Sequence, residues 1–221
     1  MQRVATFFGS TVGRKAVMGA TGIVLFGYVL AHMTGNLQLY VGPEAINAYG
    51  RFLHEFGHGM GLWVARAALL AATGLHIWAA TALTLTSWAA RGTGYREVQR
   101  RESTYASRTM RWSGPILALF IVYHLLHFTT GAVHGSFVQG DVYHNVVAGF
   151  RSWPVSSFYI AAMLALGFHM WHGVWSMLQS LGLSHPRYNA LRRAFATVFT
   201  IVVVGGNISF PIAVLAGLVR E

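Results

Sequence analysis

The sequence has no cysteine. Disulfides, thiolate-held iron–sulfur clusters and covalently attached c-type haem are therefore excluded for this chain, and any such cluster must belong to a partner. Acids are almost as scarce: six Asp and Glu stand against sixteen Lys and Arg, and charged residues make up only 10% of the chain. A basic excess of this kind raises the question of nucleic acid. The charges lie in short segments between apolar runs, not on a face interleaved with exposed aromatics, which argues against that partner. There is also no low-complexity tail and no stretch that reads as a separate soluble domain.

What is abundant is hydrophobic residue, 54% of 221 positions, in runs long enough to cross the roughly 30 Å hydrocarbon core of a bilayer. Apolar length and charged breaks predict an all-α integral membrane protein with five spans, near 16–40, 62–88, 112–135, 154–181 and 194–218. The first is too long for a signal-peptide core and lacks a clear cleavage site, so it reads as a retained span. Trp63, Trp88, Trp112 and Trp153 stand at predicted span ends, where an amphipathic ring prefers the interface. Gly135–Trp153 reads as an outer loop or a short interfacial helix.

Basic residues orient the bundle. Arg3, Arg14 and Lys15 precede the first span; Arg91, Arg96, Arg100, Arg101, Arg108 and Arg111 fill the second loop; Arg187, Arg192 and Arg193 fill the fourth. The first and third loops and the C-terminus hold only Arg51, Arg151 and Arg220. The positive-inside rule then puts the N-terminus in the cytoplasm.

Eleven histidines are many for such a chain, because a bilayer interior tolerates an ionisable group only where it is paired, hydrated or bound. His32 lies in the first span, His76 in the second, His124 and His127 in the third, His169 and His172 in the fourth. A haem iron held by two neutral imidazoles needs one histidine from each of two facing helices, so four such helices can hold two haems. Isolated histidines bonded to carbonyls, or a proton pathway in a haem-free transporter, would also place histidines in spans. Four on four helices, with matched surroundings, favour haem. Transporter repeats usually carry broken helices at the midplane, and here only Pro211, in the span without histidine, lies deep inside a span.

Two internal repeats select the ligands. Thr21-Gly22 precedes His32 by the same offsets as Ser113-Gly114 precedes His124. Gly74-Leu75-His76-Ile77-Trp78 and Gly167-Phe168-His169-Met170-Trp171 share the pattern G-x-H-x-W. Glycine there lets a flat macrocycle or another backbone approach closely. Depth agrees: counted from the outer span ends, His32 and His124 lie roughly 12–15 Å in and His76 and His169 roughly 21–22 Å in. The pairing predicted is an outer haem on His32 and His124 and an inner haem on His76 and His169.

These histidines, together with Phe168-His169, Gly173, Trp175-Ser176 and Gly182, resemble the cytochrome b membrane anchor of succinate:quinone oxidoreductases, the five-helix, two-haem type found in some succinate dehydrogenases and fumarate reductases. The resemblance covers nearly the whole chain. It implies two haem b groups, the inner one on the residues matching His76 and His169. It also implies a flavoprotein subunit with FAD and an iron–sulfur subunit docked on the cytoplasmic face of the inner (cytoplasmic) membrane. Succinate oxidation would lie in the flavoprotein, and this chain would pass electrons through both haems to a quinone, most often menaquinone. A higher oligomer of the complex stays open. Competing readings are the di-haem anchor of a hydrogenase or formate dehydrogenase, and the haem-free transporter.

Quinone reduction consumes protons, so hydrogen-bonding groups near the outer haem are candidates for that site. Asn36 and Gln38 follow His32. Glu55, near His54 and His58, falls where some family members carry a proton-handling glutamate, or is a solvated loop carboxylate. Arg66 is a candidate partner for a haem propionate or snorkels to the headgroups. His127 and His172, three residues beyond predicted ligands and so on nearly the same helix face, are candidate contacts to propionate or quinone. His134, His144 and His185, near loops, carry no predicted role.

Overall fold

The computed structural model describes residues 7–90 and 105–221. Arg3, Arg91, Arg96, Arg100 and Arg101, and the side chain of Arg108, lie outside the described residues. Among the described residues the principal helices are, in order, α1 Thr11–Asn36, α2 Pro43–Glu55, α3 Met60–Ala89, α4 Tyr105–His124, α5 Val142–Arg151, α6 Trp153–Ser180 and α7 Asn189–Leu215. A tight 3-10 turn, Leu37–Tyr40, extends α1, and a wide π turn, Leu125–Thr129, extends α4. There is no strand among the described residues.

Local chemistry sets several boundaries. The Ser10 side chain accepts from the Gly13 N–H at the start of α1, the Asp141 side chain caps α5 through the His144 N–H, and prolines open α2 and α6, where a missing N–H costs nothing. The turn from α2 to α3 runs through Gly57 (φ 61°), His58 (φ 56°) and Gly59 (φ 83°); this left-handed conformation suits glycine and is uncommon for histidine.

Helices α1, α3, α4, α6 and α7 are long and apolar enough to cross a membrane. Leu119, Val198 and Ile201 point outward and are exposed, as expected where the surrounding solvent is itself hydrocarbon. Trp63, Trp88 and Trp153 stand exposed at or near the ends of α3 and α6. Arg66 lies over the Trp63 ring at 5.1 Å and Arg111 over that of Trp88 at 5.9 Å, a favourable placement for a cation near an interface.

Three segments differ from the sequence expectation. The third span does not reach Gly135: regular helix ends at His124 and the π turn at Thr129, where Gly131, at φ 72°, begins a loop. The first outer loop is largely helix α2, with an apolar stripe that buries Ile46, and Glu55 is its last residue. Between Gly135 and Trp153 the helical alternative holds, as α5. The fifth helix starts earlier than expected and ends at Leu215, before Gly217 in the left-handed region (φ 71°). Pro115 also lies well inside α4, because that helix begins before its apolar stretch.

Close backbone packing joins α1 to α3, α1 to α6, α4 to α6 and α6 to α7. Helices α3, α1, α6 and α4 are thus joined side by side in that order, the corners of a four-sided bundle whose diagonals are α3–α6 and α1–α4, with α7 against α6. Buried Arg192 of α7 helps hold that last contact: its Nη1 donates to Asn189 Oδ1 (3.1 Å) and its Nη2 to the Trp175 carbonyl (3.0 Å). At the end where α1 begins, Arg14 Nη1 donates to Thr86 Oγ1 of α3 (3.0 Å).

The opposite end is covered by α2, α5 and the C-terminus. Asn47 donates to Asp141 Oδ1 and accepts from the Tyr143 N–H, both at 3.0 Å, tying α2 to α5. Tyr143 donates to the Arg220 carbonyl (2.9 Å), and Glu221 pairs with Arg151 (3.0 Å) and with His144. The Ser136 carbonyl, and then the Glu221 carboxylate, raise the His144 pKa above its ordinary value. A raised pKa means this contact contributes fully below the ordinary histidine range and is lost as pH rises through the folded value. Hydrogen-exchange protection factors at residues 217–221, with the intrinsic base catalysis of exchange divided out, should therefore fall from pH 6 to pH 9. The His144→Gln variant should show a flat profile; an equally steep one would remove His144 as the cause. The His144 N–H, first, and the Asn47 side chain lower the Asp141 pKa, so its contribution is present above the ordinary carboxylate range and is lost only in acid.

Candidate functional site

The histidines meet across the diagonals of the helix square. His76 of α3 and His169 of α6 have ring centres 6.2 Å apart, and His32 of α1 and His124 of α4 have theirs 5.8 Å apart. Two imidazoles that bind one iron from opposite sides, with metal–nitrogen bonds of about 2 Å, place their ring centres about 6 Å apart. Both pairs meet that requirement.

Hydroxyl groups orient three of the four rings. Thr21 Oγ1 lies 3.1 Å from His76 Nδ1, and its own hydrogen goes to the Val17 carbonyl at 2.7 Å. A hydroxyl has one hydrogen, so toward His76 it can only accept. His76 therefore carries its proton on Nδ1 and leaves the Nε2 lone pair bare, the tautomer a metal requires. Ser113 Oγ repeats the arrangement, 3.2 Å from His169 Nδ1 and 3.4 Å from the Met110 carbonyl. On the other diagonal, the Tyr159 hydroxyl lies 3.4 Å from His124 Nδ1. His32 differs: Asn36 Nδ2 donates to its Nε2 at 3.2 Å, so that lone pair serves either the amide or a metal.

The purpose of the Thr-Gly and Ser-Gly repeat is now visible. Each hydroxyl stands eleven residues before one histidine of its own helix but bonds a histidine of the other pair. Eleven residues of helix rise about 16 Å, so the two pairs lie about that far apart along the bundle. The depth arithmetic compressed this separation, because it carried the third span six residues too far and so sank His124. The glycines divide by role. A Cβ at Gly74 or Gly114 would meet nothing within 4 Å, whereas at Gly22 it would touch His76 Cε1 at 3.7 Å and at Gly167 Val204 of α7 at 3.5 Å. The facing imidazoles, and the tautomers set for His76 and His169, fit a haem held between each pair.

The remaining candidates separate. Asn36 is engaged by His32; Gln38 is half-buried in the 3-10 turn; Glu55 is exposed. No hydrogen bond joins these three among the described residues. Tyr28 stacks on His32 at 5.6 Å. Arg66 sits on Trp63, nearly two turns inside α3. His172 is half-buried, and His54 turns back to the Gly50 carbonyl at 2.8 Å.

His127 is the most deeply buried histidine among the described residues, 2% exposed. The π turn re-aims it, since a wider turn rotates each residue less than an α-helix does. Its Nδ1 lies 3.0 Å from the Tyr159 hydroxyl, and its ring stacks on His134 at 4.7 Å. Tyr159 was not singled out in the sequence. Its signal was available: a tyrosine within an apolar span must find a partner for its hydroxyl.

A family model described as succinate dehydrogenase/fumarate reductase transmembrane subunit matches residues 95–206, just over half of the chain. That segment contains His124, His127, Tyr159 and His169, while His32 and His76 lie ahead of it. No curated protein and no solved structure matches the chain.

Proposed function

Because the chain belongs to the succinate dehydrogenase/fumarate reductase transmembrane-subunit family, and so is a membrane subunit of an oxidoreductase complex, we propose that it is a di-haem cytochrome b anchor passing electrons from an iron–sulfur subunit to menaquinone. The observation that carries this reading is the pair of facing imidazoles on each diagonal, at two levels of one bundle. His76 and His169 would hold an inner haem b, and His32 and His124 an outer one. When bound, each haem iron accepts and releases single electrons. Catalysis of succinate oxidation belongs to a flavoprotein partner carrying FAD, as the family implies, and without cysteine this chain leaves the iron–sulfur clusters to a partner as well.

The chain's own residues position and insulate. Thr21 and Ser113 lock the inner imidazoles in the metal-binding tautomer, and the four crossing helices keep bulk water from both levels. The N-terminus and the arginine-rich end face the cytoplasm of an inner-membrane protein, where Arg14, Arg111, Arg187 and Arg193 present positive charge to the flavoprotein and iron–sulfur subunits. Quinone reacts at the other end, near His32, Asn36 and Gln38, with Glu55 at the aqueous surface as a proton donor. Arg66, His127 and His172 remain candidates for propionate contact, and His127 also serves Tyr159.

Purification of the native complex tests this directly. Oxidised and dithionite-reduced spectra should show two reducible low-spin b-type haems, and succinate should drive menaquinone reduction. A spectrum without haem would return the chain to the transporter reading. Copurification with a molybdenum or nickel enzyme would reassign it to a formate dehydrogenase or hydrogenase.

A further inference from the structure

Tyr159 is buried less than two turns into α6 with one hydrogen and two histidine neighbours, His127 Nδ1 at 3.0 Å and His124 Nδ1 at 3.4 Å. A single hydroxyl between two ring nitrogens must donate to one and accept from the other. The shorter contact is to His127. His124 can offer Nε2 to an iron only if its proton sits on Nδ1, and that N–H then needs an acceptor. Both constraints give one direction: His124 Nδ1–H donates to the Tyr159 oxygen, and the Tyr159 hydroxyl donates to His127 Nδ1.

The surroundings hold this direction. His134 is satisfied at both nitrogens: Nε2–H donates to the Asn145 carbonyl (2.9 Å) and Nδ1 accepts from the Ser136 N–H (3.2 Å). It can therefore stack on His127 without competing for His127 Nδ1. Tyr123 stacks on the His127 ring at 5.4 Å. His127 is thus held as an acceptor facing Tyr159.

We infer that Tyr159 and His127 are positioning residues for the outer haem, a relay that fixes the tautomer and raises the basicity of His124. This rests on His124 being an axial ligand, as in the function proposed above. The inner ligands receive the same service from Thr21 and Ser113, whose hydrogens are spent on backbone carbonyls. Tyr159 has no such carbonyl within its own helix to take its hydrogen, because a phenol projects beyond its own turn. His127 supplies the missing acceptor. Removing His127 frees the Tyr159 hydrogen to turn toward His124 Nδ1, which selects the tautomer that protonates Nε2 and opposes the iron.

The test uses the purified complex, with haem content and the midpoint potential of each haem as readouts and the inner haem as the control for folding. Tyr159→Phe should keep both haems and raise the outer midpoint potential alone, because a less basic imidazole stabilises the oxidised iron less. His127→Leu should lose outer haem several-fold. The double variant should recover the outer haem to the Tyr159→Phe level, since no hydroxyl is left to donate to His124. A purely space-filling role predicts the reverse, with two lesions worse than one. An unmoved outer potential in Tyr159→Phe, loss of outer haem in that variant, or a double variant no better than His127→Leu would overturn the relay. These outcomes leave the di-haem reading intact, whereas a wild-type complex without haem would overturn both.

Discussion

A complex carrying His76→Ala is expected to hold one haem per anchor in place of two, and the haem it keeps is the outer one. His169→Ala should give the same product; His32→Ala and His124→Ala should give its complement, with only the inner haem. The reason is geometric. In the proposed reading each haem would be held by one histidine from each of two helices that meet across a diagonal and not by close backbone packing. No third histidine stands ready to take over: His172 is half-buried on the next turn of α6, and His127 is committed to Tyr159. Succinate-driven quinone reduction should fall by at least ~100-fold in every case, beyond what a lost outer-shell partner costs. Thr21→Val supplies the graded comparison. It removes the hydroxyl acceptor for His76 Nδ1, leaves the Met18 backbone contact and keeps the ligand, so inner haem affinity should drop by about 10-fold with both haems still detectable. Pyridine haemochrome assay against protein concentration reads the stoichiometry. Retention of both haems in His169→Ala, with loss in His172→Ala, would transfer the ligand role one turn along α6.

The five crossing helices were legible because hydrophobic length is a bulk property that survives errors of several residues at each boundary. The pairing of histidines was legible for a different reason: matched neighbours on separate helices imply matched environments. What those neighbours do was not. Thr21 and Ser113 helped select His32 and His124, yet their hydroxyls serve His76 and His169, residues 55 and 56 positions away. Offsets within one helix cannot reveal which face of another helix they meet. The π turn at Leu125–Thr129 was equally hidden, since its sequence LLHFT carries nothing that distinguishes it from continuing α-helix. His127 does face the same neighbour as His124, since both bond the Tyr159 hydroxyl, but the sequence offsets did not name that neighbour. Helices α2 and α5 are short and partly polar, so their burial depends on the span ends they cover, which a window of sequence does not contain.

Gly149→Val is expected to damage the outer haem site from outside it. Gly149 lies on α5, and a Cβ there would come 2.9 Å from His127 Cε1, 3.1 Å from Phe128 Cε1 and 3.2 Å from His134 Nε2. A clash with the tip of a side chain is cheap only if the side chain can move. His134 is pinned at both nitrogens, His127 is bonded to Tyr159, and Phe128 lies against His127 at 4.2 Å and Phe150 at 5.4 Å. None of the three rings can retreat without breaking a buried hydrogen bond or separating stacked aromatics. Overpacking of this kind costs about 1–3 kcal/mol, and a β-branched side chain has fewer rotamers with which to escape. The strain falls on the π turn, which carries His127 and begins directly after His124, so the outer haem should be lost at a lower temperature while the inner haem persists. Gly149→Ala should lie between Gly149→Val and wild type. Gly205→Ala is the control of opposite sign. Its Cβ meets nothing within 4 Å on the exposed side of α7, and the substitution should leave the outer haem untouched and stabilise the helix by up to about 1 kcal/mol. Thermal scans that follow the two haem signals separately distinguish the cases. If Gly149→Val melts with the outer signal unchanged, α5 does not hold the π turn in place, and the positioning of His124 depends on α4 and α6 alone.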